Sequence, residues 1–270
     1  MRFTYDIHDL QPYINWAYFY HAWQLRTPDQ QQQSRAEAEQ TLTQLEGKYH
    51  AYALFKLFEA HSEGDDIIID EGTEMRGYEG VRIPFLRQQV PDSDHLCLSD
   101  FIHPQHDRIG VFATSADLGL ETDFDHDPYQ KMMVQLLADR LAEAAAEKLH
   151  EEVRKEIWGY APDEHLTMEE LHAERFQGIR PAVGYPSLPD NSLNFVLDEL
   201  LHFKQIGIRL TESGAMKPHA SVSGFMIALP AAHYFSIGKI GEDQLLDYAH
   251  RRGLPVEVLR KFLSPLTANR

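Results

Sequence analysis

One stretch of this sequence gathers the residue types that grip a small charged molecule. Residues Arg180–Pro189 read RPAVGYPSLP, with four Pro or Gly among ten positions around one arginine and one tyrosine. Such a loop has a pre-set backbone and little conformational entropy left to lose on binding. Arg180 carries the planar fork that pairs with a carboxylate, and Tyr185 a ring and hydroxyl that stack or donate a hydrogen bond. That combination suits a zwitterionic ligand. It also makes a stiff connector, and the residues alone leave both readings open. A second stretch, Leu210–Phe225 (LTESGAMKPHASVSGF), is rich in small residues that let backbones approach closely, and it reads equally well as strand, tight turn and strand. Glu143 and Glu147 lie on a helical segment where they could face a ligand or merely water.

Other chemistries find weaker support. His95, Cys97, Asp100, His103 and His106 fall within twelve residues, a spacing that zinc ligands sometimes show. Pro104 between the last two histidines blocks regular helical presentation, and a structural or solvated role is the preferred reading. There is no G-x-S-x-G, and Cys97 sits in LCLSDFI, where a packed thiol is expected. Neither G-x-x-x-x-G-K-[ST] nor G-x-G-x-x-G occurs, which disfavours a nucleotide bound in the Rossmann manner. Asp6-Ile7-His8 and Asp163-Glu164-His165 begin the Asp-x-His-x-x-Gly pattern of cobalamin carriers, but Gln11 and Met168 fill the glycine position.

The elements that must position these residues come from 270 residues, 43% of them hydrophobic, enough for a sizeable core. Forty-two Asp and Glu against 25 Lys and Arg give a net charge of -17, a field that repels nucleic acid. A single cysteine rules out an intramolecular disulfide. The N-terminus lacks the basic and apolar regions of a signal peptide, and no apolar run approaches the roughly 20 residues of a membrane span, so a cytoplasmic location is expected.

YINWAYFYHAWQL (13–25) predicts a buried aromatic helix, followed by a polar junction at Gln30–Gln33 and a helix from Ser34 to Gly47. Leu54–Phe58 is ambiguous, Ile67–Ile69 reads as a strand, and Ile109–Thr114 as a buried one. Pro128 opens the longest helix, to about Trp158, with Met133, Leu137, Leu141, Ala145 and Leu149 as its apolar stripe. A short helix over 169–176 has Thr167 and Glu170 at its start, and another helix covers 192–205. Runs at 206–212, 221–229 and 234–240 predict an antiparallel meander, before helices at 241–250 and 255–262. The mixture without a βαβ rhythm predicts an α+β fold, a single domain over residues 1–270.

These segments resemble a known family. LADRLAEAAAEKLHEEVRKEIWGYAP, GIRPAVGYPSLPD, LTESGAMKPHASVSGF and HYFSIGKIGEDQLLDYAHRRG follow in order, with YINWAYFYHAWQL ahead of them. Together they resemble the activation domain of cobalamin-dependent methionine synthase over nearly the whole chain. The resemblance implies a C-shaped α+β domain with a central antiparallel sheet flanked by helices. It implies S-adenosylmethionine binding in a shallow groove and docking over cobalamin held by a separate methionine synthase chain. There, an electron from a flavodoxin-type donor and a methyl from S-adenosylmethionine would turn cob(II)alamin into methylcobalamin. No catalytic acid or base is implied, and no turnover is expected of the chain alone.

Residue by residue, Arg180 matches the family's ligand-binding arginine. Ala182, Gly184 and Tyr185 match positions bordering the ligand, Tyr185 also facing the corrin. Tyr234 matches an aromatic of the site, with Phe235 beside it, and Glu143 and Glu174 match acidic positions near the ligand. Asn15 departs from the family's Y-I-D-W, replacing a carboxylate that would meet the ligand's amino group, and Asn191 departs from the His of P-[DE]-H. The chain begins and ends with the domain, so a free-standing protein is expected. Asn15 keeps a second reading open, a docking module for a corrinoid protein that no longer uses S-adenosylmethionine. A third is an activator of another corrinoid methyltransferase.

Overall fold

A computed structural model of the chain describes residues 1–70, 80–91 and 93–267. The first part holds β1 (Arg2–Tyr5), α1 (Ile7–Leu10), α2 (Trp16–Ala22), α3 (Pro28–Leu45), β2 (Ala51–Glu63), β3 (Asp66–Ile69) and β4 (Val81–Pro84). Then come β5 (Asp107–Ala116), α4 (Gly119–Thr122), α5 (Pro128–Glu152), α6 (Met168–His172) and α7 (Leu193–Leu201). The chain closes with β6 (Arg209–Leu210), β7 (Met216–Lys217), β8 (Ser221–Met226), α8 (Glu242–Arg252) and α9 (Val256–Phe262).

The thirteen-residue β2 is the spine of an antiparallel sheet ordered β4-β3-β2-β5-β8. It pairs with β5 from Ala51↔Ala116 to Ala60↔Asp107. Its other edge is shared, β1 taking the Ala51–Leu54 end and β3 the Ala60–Glu63 end. Side chains alternate between two covered faces. Phe55, Phe112 and Met226 turn toward α5 and α3, while Leu54, Val111 and Phe225 turn toward α7. The protein is therefore an α+β fold with a curled antiparallel sheet flanked by helices.

The longest helix forms where its sequence says it should. Asp127 caps α5 by accepting the N–H groups of Tyr129 and Gln130, Pro128 occupies its first turn, and the stripe from Met133 to Leu149 is buried. Past Glu152 the coil continues as a single π-helical turn, Val153–Ile157, in which the Trp158 N–H reaches the Val153 carbonyl at 3.0 Å. Gly159, at φ +72°, ends it.

Several expectations are corrected. Gln30–Gln33 is no junction: Thr27 and Gln30 form a capping box, so the glutamines are the first turns of α3. The aromatic helix is shorter than expected, Trp16–Ala22, as is α6, and the helix begun at Leu193 stops at His202, whose backbone is left-handed. The meander is absent. Residues 206–212 contribute only the two-residue β6, paired with β7, and 234–240 forms no strand. The apolar Ile237 and Ile240 are buried instead in a small cluster with α8 and α9. Among the described residues no helix is long and apolar enough to cross a membrane.

Beyond β8 the sheet gains an irregular edge. Ile179 and Ile227 exchange two backbone hydrogen bonds of 2.9 and 3.0 Å, the Phe225 N–H reaches the Pro181 carbonyl at 3.0 Å, and the Val183 N–H reaches Ser223 at 2.8 Å. The register is constant and antiparallel through Ala182↔Gly224. Pro181 lacks the N–H that a continuous ladder needs, which confines the segment to isolated bridges. A Cβ on Gly224 would lie 2.1 Å from the Pro181 carbonyl oxygen, so this approach requires glycine.

Candidate functional site

One face of α5 carries Arg140, Glu143, Glu147 and His150 at alternating spacings of three and four, and Arg154 continues the row into the π turn. That spacing places them along one side of the helix. The row descends from solvent into the interior: Arg140 and Glu143 are partly exposed, Arg180 and Glu147 pair in a nearly closed position, and His150 and Arg154 are wholly buried.

The loop 180–189 is clipped to this face. The Arg180 guanidinium meets both oxygens of Glu147, at 3.3 and 2.8 Å, and Tyr185 donates from its hydroxyl to Glu143 at 2.6 Å. The Arg180 N–H donates to the Tyr234 hydroxyl at 2.9 Å. Burial opposes the charge on Arg180, but the nearby Glu147 overcomes it and holds the guanidinium more basic than usual. Gly184, at φ +90°, turns the loop back so that its N–H meets the Leu188 carbonyl at 2.8 Å.

A groove of about 460 Å³ opens between α5, this loop, α6 and the segment before α2. Arg180, Ala182, Tyr185, Tyr234, Phe235, Asn15, Glu143 and Glu174 all line it. Gly184 does not. Asn15 also caps α2, its Oδ1 accepting the Ala17 N–H at 3.1 Å. Glu174 follows α6 at φ +56°, a conformation rare for residues with a Cβ. Its N–H bonds to Leu171 and that of Arg175 to Glu170, the pattern that normally places glycine there. Burial, with Glu147 adding, raises the Glu174 carboxyl.

Sequence reasoning overlooked Arg140, Tyr18 and His172, which also line the groove. Arg140 lies over the Tyr18 ring at 5.6 Å, and His172 bonds the Tyr13 carbonyl at 3.1 Å, fastening α6 to the segment before α2. The available signal was the polar row on α5, which looks like a solvated face until Arg180 is seen to cover it. The histidine-rich run does not converge: Asp100 pairs with Arg87, and Cys97 is buried with its thiol pushed up to about 11 by desolvation. Among the described residues one triplet, Asp6, His8 and Glu46, brings ligand-type atoms within 4.8 Å of one another, and none of them lines the groove.

Three carboxylates and two guanidiniums around the groove make a cleft for a compact molecule carrying both signs of charge, in an α+β fold whose sequence has no phosphate-loop motif. The chain matches the family model for the vitamin B12 dependent methionine synthase activation domain over residues 6–253. It is also similar to the crystal structure of the MetH reactivation domain bound to AdoHcy, at 38% identity and a TM-score of 0.93, over 100% of this chain and 90% of that one. The chain belongs to the vitamin B12 dependent methionine synthase activation domain family.

Proposed function

We propose that the chain, acting as one domain, binds S-adenosylmethionine in this groove and docks on a cobalamin-bearing methionine synthase partner to permit reductive remethylation. The observation that carries this reading is Arg180, a cation set into a carboxylate-lined groove, in a chain similar to a reactivation domain that holds AdoHcy. Arg180 pairs with the ligand carboxylate, while Glu143, Glu174 and the Asn15 amide surround its ammonium and sulfonium. Ala182 and Phe235 border the nucleoside, and Gly184 shapes the loop beside it. Tyr185 and Tyr234 supply rings at the mouth, the half-exposed Tyr185 facing the corrin. Cobalamin held by the partner would supply the methyl-accepting metal once a flavodoxin-type donor had given it one electron, and the S-adenosylmethionine sulfur would leave as a thioether. This chain's own work is orientation and exclusion of water.

Calorimetric titration of S-adenosylmethionine into the protein and into Arg180→Ala tests the site. Saturable binding lost on substitution is the expected result. No binding to the unaltered protein overturns the reading in favour of a docking module, which the neutral Asn15 favours.

A further inference from the structure

His150 lies fully buried directly beneath the groove, and the reading above gives it no task. Its Nδ1 is 3.0 Å from Arg180 Nη1 and its Nε2 is 3.2 Å from the Tyr160 hydroxyl. A guanidinium only donates, so Nδ1 accepts and the ring proton sits on Nε2, facing Tyr160. Phe176 stands edge-on to the imidazole at 4.8 Å and is itself covered at 4.4 Å by Arg154, whose fork grips Glu164 at 2.7–3.0 Å. The ring is therefore held from several sides. Burial, then the charges of Arg180 and Arg154, press its pKa well below the ordinary histidine value, which keeps Nδ1 free to accept.

Arginine has five N–H donors. His150 and Glu147 occupy both on Nη1 and one on Nη2. No hydrogen bond of Arg180 among the described residues uses the other two, on Nε and Nη2, the edge that takes a carboxylate through two parallel bonds. We propose that His150 is a positioning residue of the groove, whose Nδ1, backed by Tyr160, fixes the Arg180 guanidinium so that its Nε–Nη2 edge is presented to the ligand's carboxylate. The inference rests on the adenosyl-ligand reading above. His150 touches no ligand itself, and its effect passes wholly through Arg180.

The test titrates S-adenosylhomocysteine and methylthioadenosine, which share nucleoside and thioether and differ in the amino-acid group, into the unaltered protein, His150→Leu and His150→Gln. His150→Leu should weaken S-adenosylhomocysteine at least tenfold and leave methylthioadenosine within twofold. His150→Gln, whose amide oxygen can accept from Arg180, should recover most of the loss. Unchanged S-adenosylhomocysteine affinity in His150→Leu, or equal losses in both variants, overturns the positioning role. Where methylthioadenosine binds too weakly to titrate, the Gln-against-Leu comparison decides. Binding of neither ligand to the unaltered protein overturns the adenosyl reading and this inference with it.

Discussion

Arg180, from a loop at the sheet edge, and Glu147, from the C-terminal third of α5, form a two-point ion pair at 3.3 and 2.8 Å with only 13% and 14% of their side chains exposed. Removing one partner leaves a charge that water cannot easily reach. Glu147→Gln should therefore cost about 3 kcal/mol in urea unfolding, and the double change Arg180→Met with Glu147→Leu should cost less than that single one. A Glu147→Gln protein as stable as the parent would refute this.

Glu174 combines a left-handed backbone with a place in the groove. An L-residue there costs about 1–2 kcal/mol, and the extra unfolded-state freedom of glycine gives back roughly 0.5–1 of it. Glu174→Gly should thus raise stability by about 0.5–1 kcal/mol while weakening S-adenosylmethionine. Retained affinity in the stabilised variant would show that the carboxylate serves no ligand.

Because His150 is held neutral, the unfolded chain binds a proton there that the folded one refuses. Folding stability then rises with pH below the unfolded histidine value, and is lost as pH falls beneath about 6.5. The slope from this residue approaches about 1.4 kcal/mol per pH unit. Urea unfolding at pH 7.5, 6.5 and 5.5 should show a steeper acid loss in the parent than in His150→Gln, and parallel curves would contradict it.

Asn15 both caps α2 and faces the groove, and aspartate caps as well as asparagine. Asn15→Asp should leave the helix intact and add a charged partner worth about 1.5–3 kcal/mol, a gain of roughly tenfold or more in S-adenosylmethionine affinity. No gain in calorimetry would place the ligand's amino group elsewhere.

Much of this architecture was legible in the sequence. The five-residue stripe from Met133 to Leu149, at spacings of four, marks α5, and the Pro/Gly-rich loop marks the groove. β2 stayed ambiguous because both its faces are covered, so Leu54, Phe55 and Phe58 are all apolar and no alternation survives. The run at 234–240 imitates a strand in sequence because Ile237 and Ile240 are apolar for packing against α8 and α9, not for strand pairing. The α5 polar row stays open in sequence between ligand and solvent, with Glu143 singled out only by resemblance, since its meaning depends on Arg180, thirty-three residues beyond Glu147.

The interlock of Pro181 with Gly224 bears on how the protein meets its ligand. The arginine at the head of the loop sits one residue before a carbonyl wedged where a Cβ has no room, in register with the outermost strand of the sheet. Shifting Arg180 along its path would mean slipping that register, which turns side chains to the opposite face. The groove is a cast mould rather than a jaw. A molecule that fits it finds a shape that needs little ordering.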